Sequence, residues 1–304
     1  MKQAYPNYYS KFRCIAEKCK HNCCIGWEID VDDTSLSFYN SLNTPLGDRI
    51  RENIQGDEPH FVLAENERCP FLNVNNLCDI ITECGEDAVC EICRLHPRFL
   101  SFYSDFCETG LGLCCEEAAR IVLTMTEKFY IEAPDSESLN QEEREFFQIR
   151  SEIFSILQDR SMNIKNRFTS LSEKFAFDMN FSIASLLDAY LSLERLDEAW
   201  TVQLCRLEDF EFDEEIFANE KFSLVFEQLS CYFIFRHLAD AIECCDYPER
   251  VRFAVMSCYL IGALFSLCGN ELTNEKMIDI VRMYSAEIEY STENTEALIY
   301  LTDI

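Results

Sequence analysis

Glycine is scarce, with eight in 304 residues, and basic side chains are outnumbered by acidic ones, 26 to 55. The shortage of glycine leaves no phosphate-cradling loop. Gly110-Leu111-Gly112 lacks both the third glycine and the preceding strand pattern of a dinucleotide fingerprint, so a Rossmann-like domain is not supported. The shortage of cations argues against nucleic acid as a partner, because a formal charge of −29 repels phosphate backbones and no basic patch interrupts it. The acidity is general, with 11 basic against 20 acidic residues up to Arg120 and 15 against 35 beyond it. Such a chain suits cationic partners, lysine-bearing proteins among them, and the same charge also serves plain solubility.

Long apolar runs are missing as well. The opening MKQAYPNYYSKFRC has no apolar core of the kind a signal peptide needs, and no stretch reaches the roughly 18 uninterrupted apolar residues of a membrane span. The nearest, Phe253 to Cys268, contains Ser257, Gly262 and Ser266 and follows Arg250 and Arg252, which reads as a buried helix. No membrane association is expected. The expected location is the reducing cytoplasm, where cysteines serve as metal ligands or free thiols rather than disulfides.

Cysteine is abundant and uneven. Twelve of the 18 lie at or before Cys115. They fall into three groups: Cys14-x4-Cys19-x3-Cys23-Cys24; Cys69-x8-Cys78 with Cys84, Cys90 and Cys93; and Cys107, Cys114 and Cys115. Thiolates are soft, charged donors for zinc or for the irons of a cluster, and close spacing lets one turn supply two of them. One four-ligand site cannot use them all, so either several metals are bound or part of the set is core or catalytic. The Cys-x3-Cys-x2-Cys spacing of radical enzymes that use S-adenosylmethionine is absent, since the third position after Cys23 is Gly26. Only four histidines occur, and His21 and His96, beside the thiols, read as neighbours of a site rather than ligands. Cys205, Cys231, Cys244, Cys245, Cys258 and Cys268 sit in helical patterns, where buried cysteine is ordinary.

The expected architecture is mainly α, with a cysteine-rich, loop-rich, metal-binding region over residues 1–132 followed by an α-helical region over residues 144–304. Asn73-Val74-Asn75-Asn76 and Cys84-Gly85-Glu86-Asp87 read as turns between ligand-bearing segments. Helical periodicity follows in Phe146, Ile149, Ile153 and Leu157, then in Ile183, Leu186, Leu187, Tyr190 and Leu191. Later helices are expected near Ser223 to Glu243, Glu249 to Leu267, Glu275 to Tyr290 and Glu293 to Leu301, with Gly269-Asn270 as a stop. The polar stretch 133–143, which carries Pro134, is the expected linker.

The segment YYSKFRCIAEKCKHNCCIGW, Tyr8 to Trp27, resembles the opening motif of the flagellin lysine-N-methylases, which belong with CxxCxxCC-type zinc- or iron-chelating proteins. Cys69-Pro70-Phe71-Leu72, Leu77-Cys78-Asp79-Ile80, Cys93-Arg94-Leu95-His96-Pro97-Arg98-Phe99 and Cys115-Glu116-Glu117-Ala118-Ala119-Arg120 follow in that family's order. Tyr232 to His237 and Arg282 to Glu289 are similar to its C-terminal helices. The resemblance implies methyl transfer from S-adenosylmethionine to lysine side chains of flagellin, with an iron–sulfur (4Fe-4S) cluster or zinc. The cysteines inside these motifs, Cys14, Cys19, Cys23, Cys24, Cys69, Cys78, Cys93 and Cys115, are then the expected metal ligands; Cys84, Cys107 and Cys114 lie outside the family's pattern.

That chemistry needs a deprotonated amine aligned with the methyl sulfonium in a site that excludes water. Glu108, Glu117 and Tyr103 are the candidates to handle the proton, with pairing of the carboxylates to Arg94, Arg98 or Arg120 as the structural alternative. Arg94 and Arg98 could neutralise a thiolate cluster or clamp the cofactor's carboxylate; Trp27 could stack on adenine or cover the metal. Two rival readings remain: a non-enzymatic zinc- or iron-chelating or sensing module with a helical docking region, and a thiol redox switch.

Overall fold

The computed structural model describes residues 1–132 and 138–301. The chain is mainly helical and divides into two compact units, residues 13–98 and residues 1–12 with 99–304. This division corrects the expected one at residues 133–143, of which residues 133–137 lie outside the described residues. The reason is a sheet that ties distant segments together. Lys2–Pro6 runs parallel to Phe106–Leu111, with Lys2 beside Phe106 and Ala4 beside Glu108, and antiparallel to Ile131–Glu132. Arg98–Phe102 completes the strand order at the far edge. The first strand and everything after residue 98 therefore fold with the helices.

In the larger unit the helices begin where side chains can cap them. Asn140 accepts from the backbone N–H of Glu143, whose own carboxylate accepts from the N–H of Asn140, which starts the helix Gln141–Leu157. Ser182 caps Ile183–Leu191, and Thr273 caps Asn274–Tyr284. The expected helices are found as Glu220–His237, Tyr247–Cys268, Asn274–Tyr284 and Thr292–Ile299. Gly269, at φ +51°, ends the second of these. Tyr247–Cys268 is long and apolar enough to cross a membrane by length and composition, but 78% of its apolar window is buried inside the unit, as read from the sequence. It packs against Glu220–His237, which also meets Glu116–Leu123. Gly110, in the strand Phe106–Leu111, is required for packing rather than for phosphate: a Cβ there would collide with the rings of Phe99 and Phe235.

The smaller unit has little regular structure. Three two-residue strands pair antiparallel in the order Ile29–Asp30, His60–Phe61, Ile54–Gln55. Asp33–Ser41 is capped by Asp32, and Pro45–Glu52 is capped by Thr44 with proline in its first turn. Asn73 Oδ1 accepts from the N–H groups of Asn75 and Leu77, which makes the expected turn. Its core is Ile29, Val31, Tyr39, Leu46, Ile50, Phe61, Phe71 and Ile80, together with Cys69 and Cys90.

Candidate functional site

The smaller unit brings four cysteine-bearing segments together by backbone pairing. Cys69 N–H donates to the Cys24 carbonyl at 2.8 Å and Gly26 N–H to the Glu67 carbonyl at 3.0 Å, which staples the loop after Cys23 to the segment before Pro70. Leu72 bridges to Cys78, and Asp79 N–H donates to the Phe71 carbonyl at 2.9 Å. Cys78 then stands at the start of the helix Asp79–Cys84, and Cys90 at the start of Glu91–Leu95, which contains Cys93. Asp32 fixes that last helix, since its carboxylate accepts from Glu91 N–H at 2.8 Å while also capping its own helix. Burial opposes its ionisation, yet the N–H groups of Glu91 and Ser35 hold the Asp32 pKa down at about 2. Tyr39, fully buried, donates to the Ala88 carbonyl at 2.8 Å and lies 3.5 Å from Cys90 Sγ.

The result is a neighbourhood of six thiols: Cys23, Cys24, Cys69, Cys78, Cys90 and Cys93. Cys24 feels Cys23, Cys69 and Cys78, and Cys93 feels Cys90, Cys69, Cys78 and Cys23. Burial pushes the Cys69 and Cys90 thiols up to about 11 and raises Cys78 and Cys93 too. Cys23 and Cys24 share a hydrogen bond that lowers the Cys23 pKa to about 7 and raises that of Cys24. Among the described residues, no three His, Cys, Asp or Glu side chains are grouped tightly enough to hold a metal ion. In kind, the donor set fits a soft cation: the thiols are crowded and resist ionisation together, which is the cost that a bound cation removes.

The other expected ligands lie outside this neighbourhood or in the other unit. Cys14 Sγ accepts from Ala16 N–H at 3.4 Å, and Cys19 Sγ donates to the His21 carbonyl at 3.3 Å. Cys115, with Cys107 and Cys114, belongs to the larger unit, where it precedes Glu116–Leu123. Cys90 and Tyr39 were not singled out by the ordered motifs. Three residues of the expected cofactor group do surround the thiols. Trp27 Nε1 donates to the Cys23 carbonyl at 2.5 Å, and its ring lies 6.3 Å from that of His96. Arg98 donates to the carbonyls of Arg94 and His96, and Arg94 pairs with Glu91 at 3.8 Å. Burial and the nearby Arg98 lower the His96 pKa to about 4, so its ring is neutral at physiological pH.

The expected proton-handling residues are engaged structurally. Glu108, 1% exposed, takes both terminal nitrogens of Arg150 at 2.6 and 2.7 Å and accepts from the Tyr103 hydroxyl at 3.1 Å. Burial raises the Tyr103 pKa, so its hydroxyl stays protonated. Glu117 holds Arg120 through two 2.6 Å hydrogen bonds. A further buried network lies at the C-terminal end, where Asn274–Tyr284 continues as the π-helical turn Ser285–Glu289. Glu289 accepts from Tyr232 at 2.9 Å, bonds His237 Nε2 at 2.7 Å and pairs with Arg236 at 3.3 Å. The Arg236 guanidinium lies 4.9 Å from the Phe99 ring centre and 5.1 Å from that of Tyr290.

Residues 127–302, more than half of the chain, match the family described as the FliB lysine N-methylase C-terminal domain. The chain belongs to this family. Among curated proteins it is 27% identical over 160 residues to the flagellar biosynthetic protein FliU of Salmonella muenchen, covering 50% of this chain and 94% of that one. It is also 27% identical over 127 residues to lysine-N-methylases of Salmonella typhimurium and Salmonella choleraesuis, covering 39% of this chain and 31% of each. The match thus spans about a third of the methylases' length. No solved structure matches the chain. The family domain begins beyond residue 98, so the thiol neighbourhood lies outside the segment that places the chain in the family.

Proposed function

We infer that this protein is a lysine N-methylase of flagellin, a cytoplasmic enzyme that takes methyl from S-adenosylmethionine. The observation that carries this reading is the family match over residues 127–302, joined to relatives named lysine-N-methylase and flagellar biosynthetic protein. The acidic surface supports a lysine-bearing substrate, because a net charge of −29 draws a cationic partner and favours lysines at the encounter.

Cys23, Cys24, Cys69, Cys78, Cys90 and Cys93 would hold an iron–sulfur cluster or zinc, which supplies Lewis-acid or electron-transfer capacity when bound. Trp27 and the neutral His96 ring would shield that site from water, and Arg98 would offset thiolate charge. Glu108 and Tyr103 are committed to Arg150, so they position the helix Gln141–Leu157 against the sheet rather than accept the lysine proton. Incubation of the anaerobically purified full chain with flagellin and methyl-labelled S-adenosylmethionine should place label on lysines, read by peptide mass spectrometry. Flagellin that stays unlabelled while the protein carries its full metal complement would overturn the enzyme reading.

A second reading, a metal-chelating or sensing module with a helical docking region, is favoured by one observation: the thiols occupy a unit of their own. It expects tight zinc or iron binding with no methyl transfer.

A further inference from the structure

In the larger unit, the helix Glu198–Cys205 has an inner and an outer face. Inward, Trp200 and Leu204 are buried, and the Trp200 ring meets the Tyr284 ring edge-on with centres 6.1 Å apart. Outward, Ala199, Val202 and Cys205 recur at a spacing of three and are exposed, an apolar stripe where a solvated helix face carries charge. Leu196, just before the capping residue Asp197, adds to this end of the helix; it is 58% exposed and Val202 is 62% exposed. Scattered exposed apolar residues are ordinary, but Leu196 is fixed in place. Glu287, 2% exposed, commits both carboxylate oxygens to its loop: Leu196 N–H donates to Oε2 at 3.1 Å and Asp197 N–H to Oε1 at 2.6 Å. Asn294, also buried, accepts from Glu194 N–H at 2.9 Å and donates to the Glu194 carbonyl at 3.0 Å. Leu196 therefore cannot fold back toward the core without stranding a buried carboxylate. A surface fixed before its partner arrives loses little freedom on binding.

The charge around the stripe decides what would cover it. Residues 194–215 hold nine acidic side chains against two arginines, with no lysine. Glu198, Glu208, Asp209 and Glu211 are exposed and make no ion pair among the described residues. Their field repels a second copy of this chain, which carries −29, and it equally repels nucleic acid and an anionic membrane. It draws in a cationic partner. An apolar stripe at helical spacing, in turn, matches the apolar face of another helix. The two demands meet in an amphipathic helix that carries lysines beside its apolar face.

We propose that Leu196 and the outer face of the helix Glu198–Cys205 form the docking surface for a lysine-bearing amphipathic helix of the substrate protein. The apolar stripe of that helix lies on Leu196, Ala199 and Val202, and its lysines face Glu198, Glu208, Asp209 and Glu211. The inference rests on the methylase reading for the role of the partner, and its test does not need methyl transfer. The probe is a fluorescent leucine–lysine peptide of about five helical turns in amphipathic order, titrated into the full chain and followed by anisotropy. It should bind and weaken as salt is raised, whereas its leucine–glutamate counterpart should not bind. Val202→Arg and Leu196→Arg, both at exposed positions, should each weaken the lysine peptide by at least about tenfold. Val74→Arg, at an exposed valine of the smaller unit, should leave it unchanged. Equal binding by the wild type and both folded variants would overturn the docking surface, as would a loss in Val74→Arg as large as in Val202→Arg, which marks a bulk charge effect. Glu198→Lys/Glu208→Lys repeats the test should an arginine variant fail to fold. With flagellin as substrate, Val202→Arg should raise KM and leave kcat unchanged, and an unchanged KM would overturn the docking role. Flagellin left unmethylated by the wild type overturns the methylase reading instead, while the surface stands on the peptide result.

Discussion

Replacing Arg150 with leucine separates a structural from a proton-handling role for Glu108. Both groups are buried, at 5% and 1% exposure, and Arg150 donates to both carboxylate oxygens. Arg150→Leu would leave Glu108 with only the Tyr103 hydroxyl at 3.1 Å as a side-chain donor. Breaking a buried pair from one side costs about 3–5 kcal/mol, because the abandoned charge stays desolvated. At roughly 2–4 °C per kcal/mol for a unit of this size, the melting transition should fall by about 6–20 °C. The double variant Glu108→Leu/Arg150→Leu removes both charges and should recover most of that loss, since well-packed apolar replacements of buried pairs are often neutral or better. Thermal unfolding by circular dichroism on the wild type, both single variants and the double variant completes the cycle. A single-variant cost below about 1 kcal/mol, or a double variant no better than Arg150→Leu, would refute the structural assignment.

The pH dependence of stability should fall on the acid side. Burial depresses the His237 pKa below its ordinary 6.5, so the unfolded chain takes up that proton first, and stability declines as pH drops through about 6.5. Burial of Glu289 would raise its pKa, but Arg236 and His237 outweigh it and lower the value, so a further loss follows below about 4.5. His237→Gln should flatten the slope of the urea midpoint between about pH 7 and 5, and an unchanged slope would remove His237 from this account. For the thiols, Cys69→Ser and Cys78→Ser should each strip bound iron or zinc from anaerobically purified protein by elemental analysis, whereas Cys205→Ser, in an exposed helical position, should retain it. Equal retention in all three would place the metal elsewhere.

What the sequence made legible follows the range of each interaction. The helices from Gln141 onward appear near the expected places because local periodicity and caps such as Asn140 and Gly269 specify them within a turn or two. The boundary between units was not legible, since it depends on Lys2 pairing with Phe106, a parallel contact with no local signature. Glu108 shows the same limit. Its proximity to cysteines in the sequence suggested chemistry, while the residue that occupies it lies 42 positions away. Cys90 escaped the ordered motifs, and its neighbour Tyr39 lies 51 residues before it. On the helix Gln141–Leu157, the core stripe Phe146, Ile153 and Leu157 was readable and is buried. The adjoining stripe through Phe147, Ser151 and Phe154 lines a surface cleft only because residues 128–131 stand opposite.

The placement of the thiols in the smaller unit has a physical logic. Residues 13–98 carry helices of nine, eight, six and five residues and strands of two, lengths that are marginal without tertiary support. Two of the side chains that close the core, Cys69 and Cys90, are themselves thiols of the neighbourhood. A unit of this size with so little regular structure gains most from a cross-link that joins segments far apart in sequence, and a bound cation would be such a link. The larger unit, with helices of 17, 18 and 22 residues around one apolar core, has no such requirement. If the thiols hold a cation as proposed, its removal should lower the stability of residues 13–98, because the short elements of that unit are what bring those thiols together.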